Sequence, residues 1–155
     1  MSIGSWLRDH PKTLESAYDL THRLFEFIHP AIKAIGYTKA ERLIRWPEEW
    51  LKGLIFDCRM CGQCILHSTG MTCPMTCPKN LRNGPCGGVR LNGHCEVIPE
   101  MRCVWVEAYE RSLEMSEYGT ELTVLQPPVN RTLEGRSAWI TMLTGEDQLA
   151  GPGWE

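Results

Sequence analysis

Eight cysteines, Cys58, Cys61, Cys64, Cys73, Cys77, Cys86, Cys95 and Cys103, fall within one 46-residue window of a 155-residue chain, with none in the first 57 residues or the last 52. A disulfide scaffold normally staples the whole of a small chain, so this confinement argues for a different use of sulfur. The opening residues Met1 to Lys12 lack a basic stretch followed by an apolar core and a small-residue cleavage site. The expected setting is therefore a reducing cytoplasm, where clustered thiols usually hold metal.

The window also divides the charge. Residues 1–57 carry 8 Lys/Arg against 8 Asp/Glu, residues 58–103 carry 5 against 2, and residues 104–155 carry 3 against 9, which gives the net −3. No basic stripe of the kind a nucleic-acid binder needs is present. The longest uncharged run, Gly62 to Pro78, is broken by Cys, Thr, Gly and two Pro, so no membrane span is expected.

The flanks read as helices. Leu14, Ala17, Tyr18, Leu24, Phe25 and Ile28 follow helical spacing, with Thr13 as a candidate cap and Pro30 as a stop. A short second helix runs from Thr38, with Glu41 three residues on, toward Trp46, and Pro47 restarts another with Trp50, Leu54 and Ile55 as its buried face. Between Cys58 and Cys103 the Pro and Gly content favours turns. Val104, Trp105, Val106, Ala108, Tyr109 and Leu113 predict a packing helix in which Trp105 is core. Gln126-Pro127-Pro128 is an extended linker, and Ser137–Leu143 a short helix or docking peptide. The expected class is mainly α with an irregular, cysteine-rich metal-binding core: a helical segment over 1–57, a cluster-binding core over 58–103, a packing helix over 104–118 and an extended docking tail over 119–155.

Cys58-x2-Cys61-x2-Cys64 places three thiolates on consecutive tight turns, which suits three corners of an iron–sulfur cubane with a later cysteine as fourth ligand. Structural zinc sites more often use two pairs. Proline follows both Cys73 and Cys77, as it follows the last cysteine of the bacterial ferredoxin run. Eight ligands fit two [4Fe–4S] clusters, or one [4Fe–4S] cluster plus a four-cysteine zinc site. In the first arrangement Cys58, Cys61 and Cys64 share one cluster with a distal cysteine, and the other four share the second. Arg59, Lys79, Arg82, Arg90 and Arg102, with the amides of Gly62, Gly87 and Gly88, are candidates to offset the cluster charge. His67 and His94 are expected to bond sulfur rather than metal. No phosphate loop, nucleophile elbow or carboxylate pair is present, so no catalytic residue is assigned.

The runs Cys58-Arg59-Met60-Cys61-Gly62-Gln63-Cys64, Thr72-Cys73-Pro74-Met75-Thr76-Cys77-Pro78-Lys79 and Arg82-Asn83-Gly84-Pro85-Cys86-Gly87-Gly88, with Cys95-Glu96 and Cys103-Val104-Trp105, strongly resemble the C-terminal domain associated with methylenetetrahydrofolate reductases. In some bacteria that domain stands alone as the MetV-type small subunit. The resemblance implies a hetero-oligomer with a MetF-type flavin-containing barrel that carries the flavin and folate sites. It also implies a role for this chain in electron transfer and scaffolding. The alternatives are a zinc-stabilised structural adaptor and a general ferredoxin-like carrier in one-carbon metabolism.

Overall fold

Two long helices, α1 (Pro11–Ile35) and α2 (Tyr37–Phe56), occupy most of the chain before the cysteine window. The computed structural model describes Leu7 and residues 9–154; Met1–Trp6, Arg8 and Glu155, and with them much of the stretch read for a secretory signal, lie outside the described residues. Beyond the window come α3 (Val104–Ser112) and α4 (Ala138–Thr144). Short 3-10 turns lie at His67–Thr69, Pro74–Thr76, Gly119–Thr123, Arg131–Leu133 and Glu146–Gln148. Among the described residues no strand forms; Val89 with Cys95, and His94 with Arg102, make isolated bridges only. The class is the expected one, helical flanks around a turn-rich cysteine region.

The helix boundaries differ from expectation. Neither Pro30 nor Pro47 ends a helix; each lies inside one. A proline costs its helix one hydrogen bond and a local clash, and here the burial of neighbouring faces outweighs that cost. The break falls instead at Gly36, whose φ of 94° is open to glycine and strained for other residues. Gly36, not Thr38, is therefore the cap of α2.

The chain folds into two compact units. The first comprises the described residues before Ser16 together with Ile65–Gln126. Cys103, Trp105 and Ala108 form its core, packed by Val89, Val106 and Leu122, so Trp105 is a core residue as its spacing implies. Gly70, at φ 59°, passes so close to the Ala108 carbonyl that a Cβ there would overlap it. Glu15, 4% exposed, accepts the backbone N–H groups of Ser116, Glu117 and Tyr118 at 2.8–2.9 Å.

The second unit comprises Ser16–Cys64 and Pro127–Glu155. Its core is Ile32, Ala40 and Ile140, flanked by Phe25, Ile28, Tyr37, Ile44 and Leu143. Trp139 stacks on Phe25 with ring centres 4.9 Å apart. Ser137 caps α4 by accepting the Ile140 N–H. Trp50 and Leu54, expected on the buried face of a separate helix restarting at Pro47, lie within α2 and are 61% and 58% exposed. The face that α2 buries carries Ala40, Glu48 and Lys52 instead, because Ser137 and Ala138 donate to the Glu48 carboxylate, which in turn pairs with Lys52.

Candidate metal centre

All eight cysteines are free thiols; Cys77, Cys95 and Cys103 are buried and the other five half-buried. Cys58, Cys61 and Cys64 belong to the second unit, and Cys73, Cys77, Cys86, Cys95 and Cys103 to the first.

The first three cysteines occupy a loop that begins where α2 ends. Asp57 takes a left-handed conformation as the C-cap, and Cys58 N–H reaches back to the Lys52 carbonyl at 3.4 Å. Positive φ angles at Met60 (47°) and Gly62 (72°) then wind the chain tightly between the thiols. The Met60 N–H points at Cys58 Sγ, 3.3 Å away, and the Cys61 thiol donates to the Gln63 carbonyl at 3.7 Å. Gly62 is required twice over: its φ is unfavourable for a side chain, and a Cβ there would strike the Leu133 carbonyl.

Residues from the end of the chain hold this loop. The Met60 carbonyl accepts from Gly135 N–H at 2.7 Å, and the Gly62 carbonyl from the Thr141 hydroxyl at 2.5 Å. Gln63, fully buried, donates to the Asp147 carbonyl at 2.9 Å and accepts from Asn130 N–H at 2.7 Å.

The loop also has a buried cation. Lys52, 8% exposed, donates to Glu48 Oε1 at 2.6 Å and stands 4.8 Å from the centre of the Trp139 ring. Burial opposes its charge, but the neighbouring Cys64, Glu48 and Cys58 more than compensate, and it holds its proton more firmly than an ordinary lysine. Burial pushes the Cys58 thiol up to about 11, reinforced by Cys64 and Cys61 and opposed by the Met60 amide and the Lys52 ammonium. Lys52 was not among the residues expected to offset cluster charge. Its signal in the sequence is the pair Glu48 and Lys52, four residues apart on the helix that leads into Cys58.

In the first unit Cys73 and Cys77 flank the 3-10 turn Pro74–Thr76. The Thr76 hydroxyl donates to the Cys73 carbonyl at 2.7 Å, and Cys77 accepts Asn80 N–H at 2.8 Å. Cys95 is tied through its N–H to the Met101 carbonyl at 3.0 Å, and Cys103, which begins α3, to Gly93 at 2.9 Å. Two of the cations expected here are paired with carboxylates. Lys79 pairs with Glu96, and this pairing together with the nearby Cys86 holds its proton more firmly than usual. Arg102 grips both Glu110 oxygens at 2.5 and 2.6 Å. His94 Nδ1 lies 2.8 Å from the Pro99 carbonyl, and His67 Nε2 lies 3.4 Å from Glu121.

Among the described residues no three His, Cys, Asp or Glu side chains converge as a metal-holding group. The donor chemistry of the first loop nevertheless suits a thiophilic metal: three unbridged thiols in one tightly wound loop, with an amide N–H directed at sulfur and a buried lysine on the helix that leads into it.

The chain is thus a helical protein whose cysteine-rich middle is fixed by segments distant in sequence. It belongs to the methylene-tetrahydrofolate reductase C-terminal family, whose model matches residues 37–132. That span takes in α2, the whole cysteine window and α3. No curated protein and no solved structure matches the chain. Among the described residues no helix is long and apolar enough to cross a membrane.

Proposed function

We propose that the chain is an iron–sulfur electron-transfer and scaffolding subunit of a methylenetetrahydrofolate reductase complex, of the small MetV type, acting in the cytoplasm. The observation that supports this most directly is the family match across a window holding eight unbridged thiols. All eight cysteines are assigned as ligands of two [4Fe–4S] clusters, with Cys58, Cys61 and Cys64 serving the same cluster. When bound, such clusters supply one-electron transfer. The flavin and the folate belong to a MetF-type partner, and this chain passes electrons to or from that flavin.

The residues of this chain bind and position. The loop over 58–64 is held by Gly135, Thr141, Asn130 and Asp147, which fixes the sulfur spacing before any metal arrives. Trp46, 73% exposed, and Trp50, with Leu51 and Leu54, form an aromatic and aliphatic face on α2 suited to docking on a larger subunit.

The test is the iron, acid-labile sulfide and zinc content of chain purified without oxygen, with its visible spectrum. Roughly eight iron and eight sulfide per chain, with absorption that bleaches on reduction, is the expected result. Zinc without iron overturns the electron-transfer role and leaves a structural adaptor. Turnover of methylenetetrahydrofolate by this chain without any flavoprotein overturns the assignment to a non-catalytic subunit.

A further inference from the structure

The first compact unit contains a cavity of about 240 Å3, walled by Arg82, Gly84, Trp105 of α3 and a strap over residues 122–126. Among the described residues none of the eight cysteines lines it, so it is distinct from the metal centre proposed above. Its volume falls just below the roughly 300–1,000 Å3 of sites for drug-sized ligands, which suits a smaller molecule. The strap is fastened at its end: the Asn83 side chain accepts Gln126 N–H at 2.9 Å and donates to the Gln126 carbonyl at 2.8 Å. Val124 and Leu125, 55% and 82% exposed, put the mouth of the cavity at the surface.

Several donors in the wall are spent within the protein. The Thr69 hydroxyl donates to the Thr72 carbonyl at 2.7 Å, the Ser68 hydroxyl to Glu121 at 3.0 Å, and the Gln126 amide to the Ser68 oxygen at 3.3 Å. Glu121 does not itself line the cavity. The indole N–H of Trp105 differs: it is buried, and among the described residues no group accepts it. Such an N–H costs stability until an acceptor is supplied. Gly84 lets the indole lie there, since a Cβ at that position would overlap the pyrrole edge of the ring. Arg82, 5% exposed, is the one charged residue among the described lining residues. Its planar fork of five N–H donors matches the edge of a carboxylate, in addition to any contact it makes within the protein. We propose that the cavity binds a small organic acid with a planar apolar body. Arg82 and the Trp105 N–H take its carboxylate, and the Trp105 ring and Leu122 cover its body. A bare inorganic anion leaves that apolar wall uncovered, and a neutral molecule forgoes the charge-assisted bond to Arg82.

The test is isothermal titration calorimetry of the full chain, purified without oxygen and with whatever metal it carries. Benzoate is the probe, with benzamide and inorganic phosphate as controls. One benzoate per chain is the expected result, with benzamide at least about ten-fold weaker for want of hydrogen bonds to a charged group, and no saturable heat from phosphate. Trp105→Phe keeps an aromatic ring but deletes the N–H, and is expected to weaken benzoate about ten-fold. Val124→Trp, on the exposed rim, fills the mouth and is expected to abolish binding while the far-ultraviolet circular dichroism stays unchanged. No saturable heat from benzoate with the unaltered chain overturns the inference. Benzoate binding that neither variant alters overturns it as well, because the ligand then lies elsewhere. Phosphate binding as tight as benzoate makes this a site for an inorganic anion and overturns the assignment to an organic acid.

Discussion

Gln63 and Asn130, 67 positions apart, are joined by a 2.7 Å hydrogen bond in which the buried side-chain amide oxygen accepts the backbone N–H. The same amide donates to the Asp147 carbonyl at 2.9 Å. A side chain in the middle of a cysteine loop therefore supplies backbone partners to two later segments. Replacing it with Ala leaves an N–H and a carbonyl unsatisfied in a site with no water access and adds a void, at a cost of about 2–4 kcal/mol. Denaturant unfolding of the metal-free reduced chain, followed by tryptophan fluorescence, should show a midpoint shift of that size for Gln63→Ala. An unchanged midpoint would show that the residue is dispensable to the fold.

Removal of the chain from Pro127 onward takes away the Gly135, Asn130 and Thr141 contacts to the loop, and the Ser137 and Ala138 contacts to Glu48. It also removes Ile140, which is 0% exposed in the core of the second unit. The truncated chain should lose amide-exchange protection across residues 37–64 and hold less metal than the full chain. Full protection and full metal content in the truncated chain would show that the loop is held by its own turns.

These relationships explain what could be read in advance. The helices were legible because their apolar residues recur at helical spacing, and Trp105 was legible as core from its large apolar area in a helical pattern next to Cys103. The proline stops were not: Pro30 and Pro47 are strong local signals, but local signals yield when a long face is buried on either side of them. The buried face of α2 was misread because Trp50 and Leu54 are its most apolar residues, whereas Glu48 and Lys52 are the buried ones. Their burial depends on donors contributed by Ser137 and Ala138, nearly ninety residues later in the chain, and no periodicity carries that information. The confinement of the eight thiols to one window is plain from spacing; their division between the two units, three in one and five in the other, is not.

Glu15 gives a prediction in acid. Burial pushes its carboxyl up, but the amides of Ser116, Tyr118 and Glu117 outweigh burial and hold it below the usual glutamate range, with a smaller contribution from Lys12. A depressed value in the folded state stabilises the fold above the ordinary carboxylate range, and that stabilisation disappears as pH falls through the folded value. Glu15→Gln should therefore cost about 1.5–3 kcal/mol near neutral pH, the usual size for hydrogen bonds to a charged group. The difference between the two proteins should close in strong acid. Thermal unfolding of both across the acid range tests this, and a cost that does not change with pH would mean that the carboxylate charge is immaterial.

Cys58 gives the corresponding prediction in base. With its thiol pushed up to about 11 by burial and by the neighbouring Cys64 and Cys61, the reduced, metal-free chain carries almost no Cys58 thiolate at neutral pH, and the thiolate is the species that alkylates. Around pH 8 its thiolate fraction should be on the order of a hundred-fold below that of an ordinary cysteine. Peptide-resolved mass spectrometry after brief iodoacetamide pulses should show Cys58 labelling that climbs steeply between about pH 9 and pH 11. Lys52 opposes the upward shift, so Lys52→Met should move that rise to still higher pH. Rapid labelling of Cys58 at neutral pH would mean that the loop opens to solvent without unfolding, and the contacts from Gly135 and Thr141 would then be too weak to hold it closed.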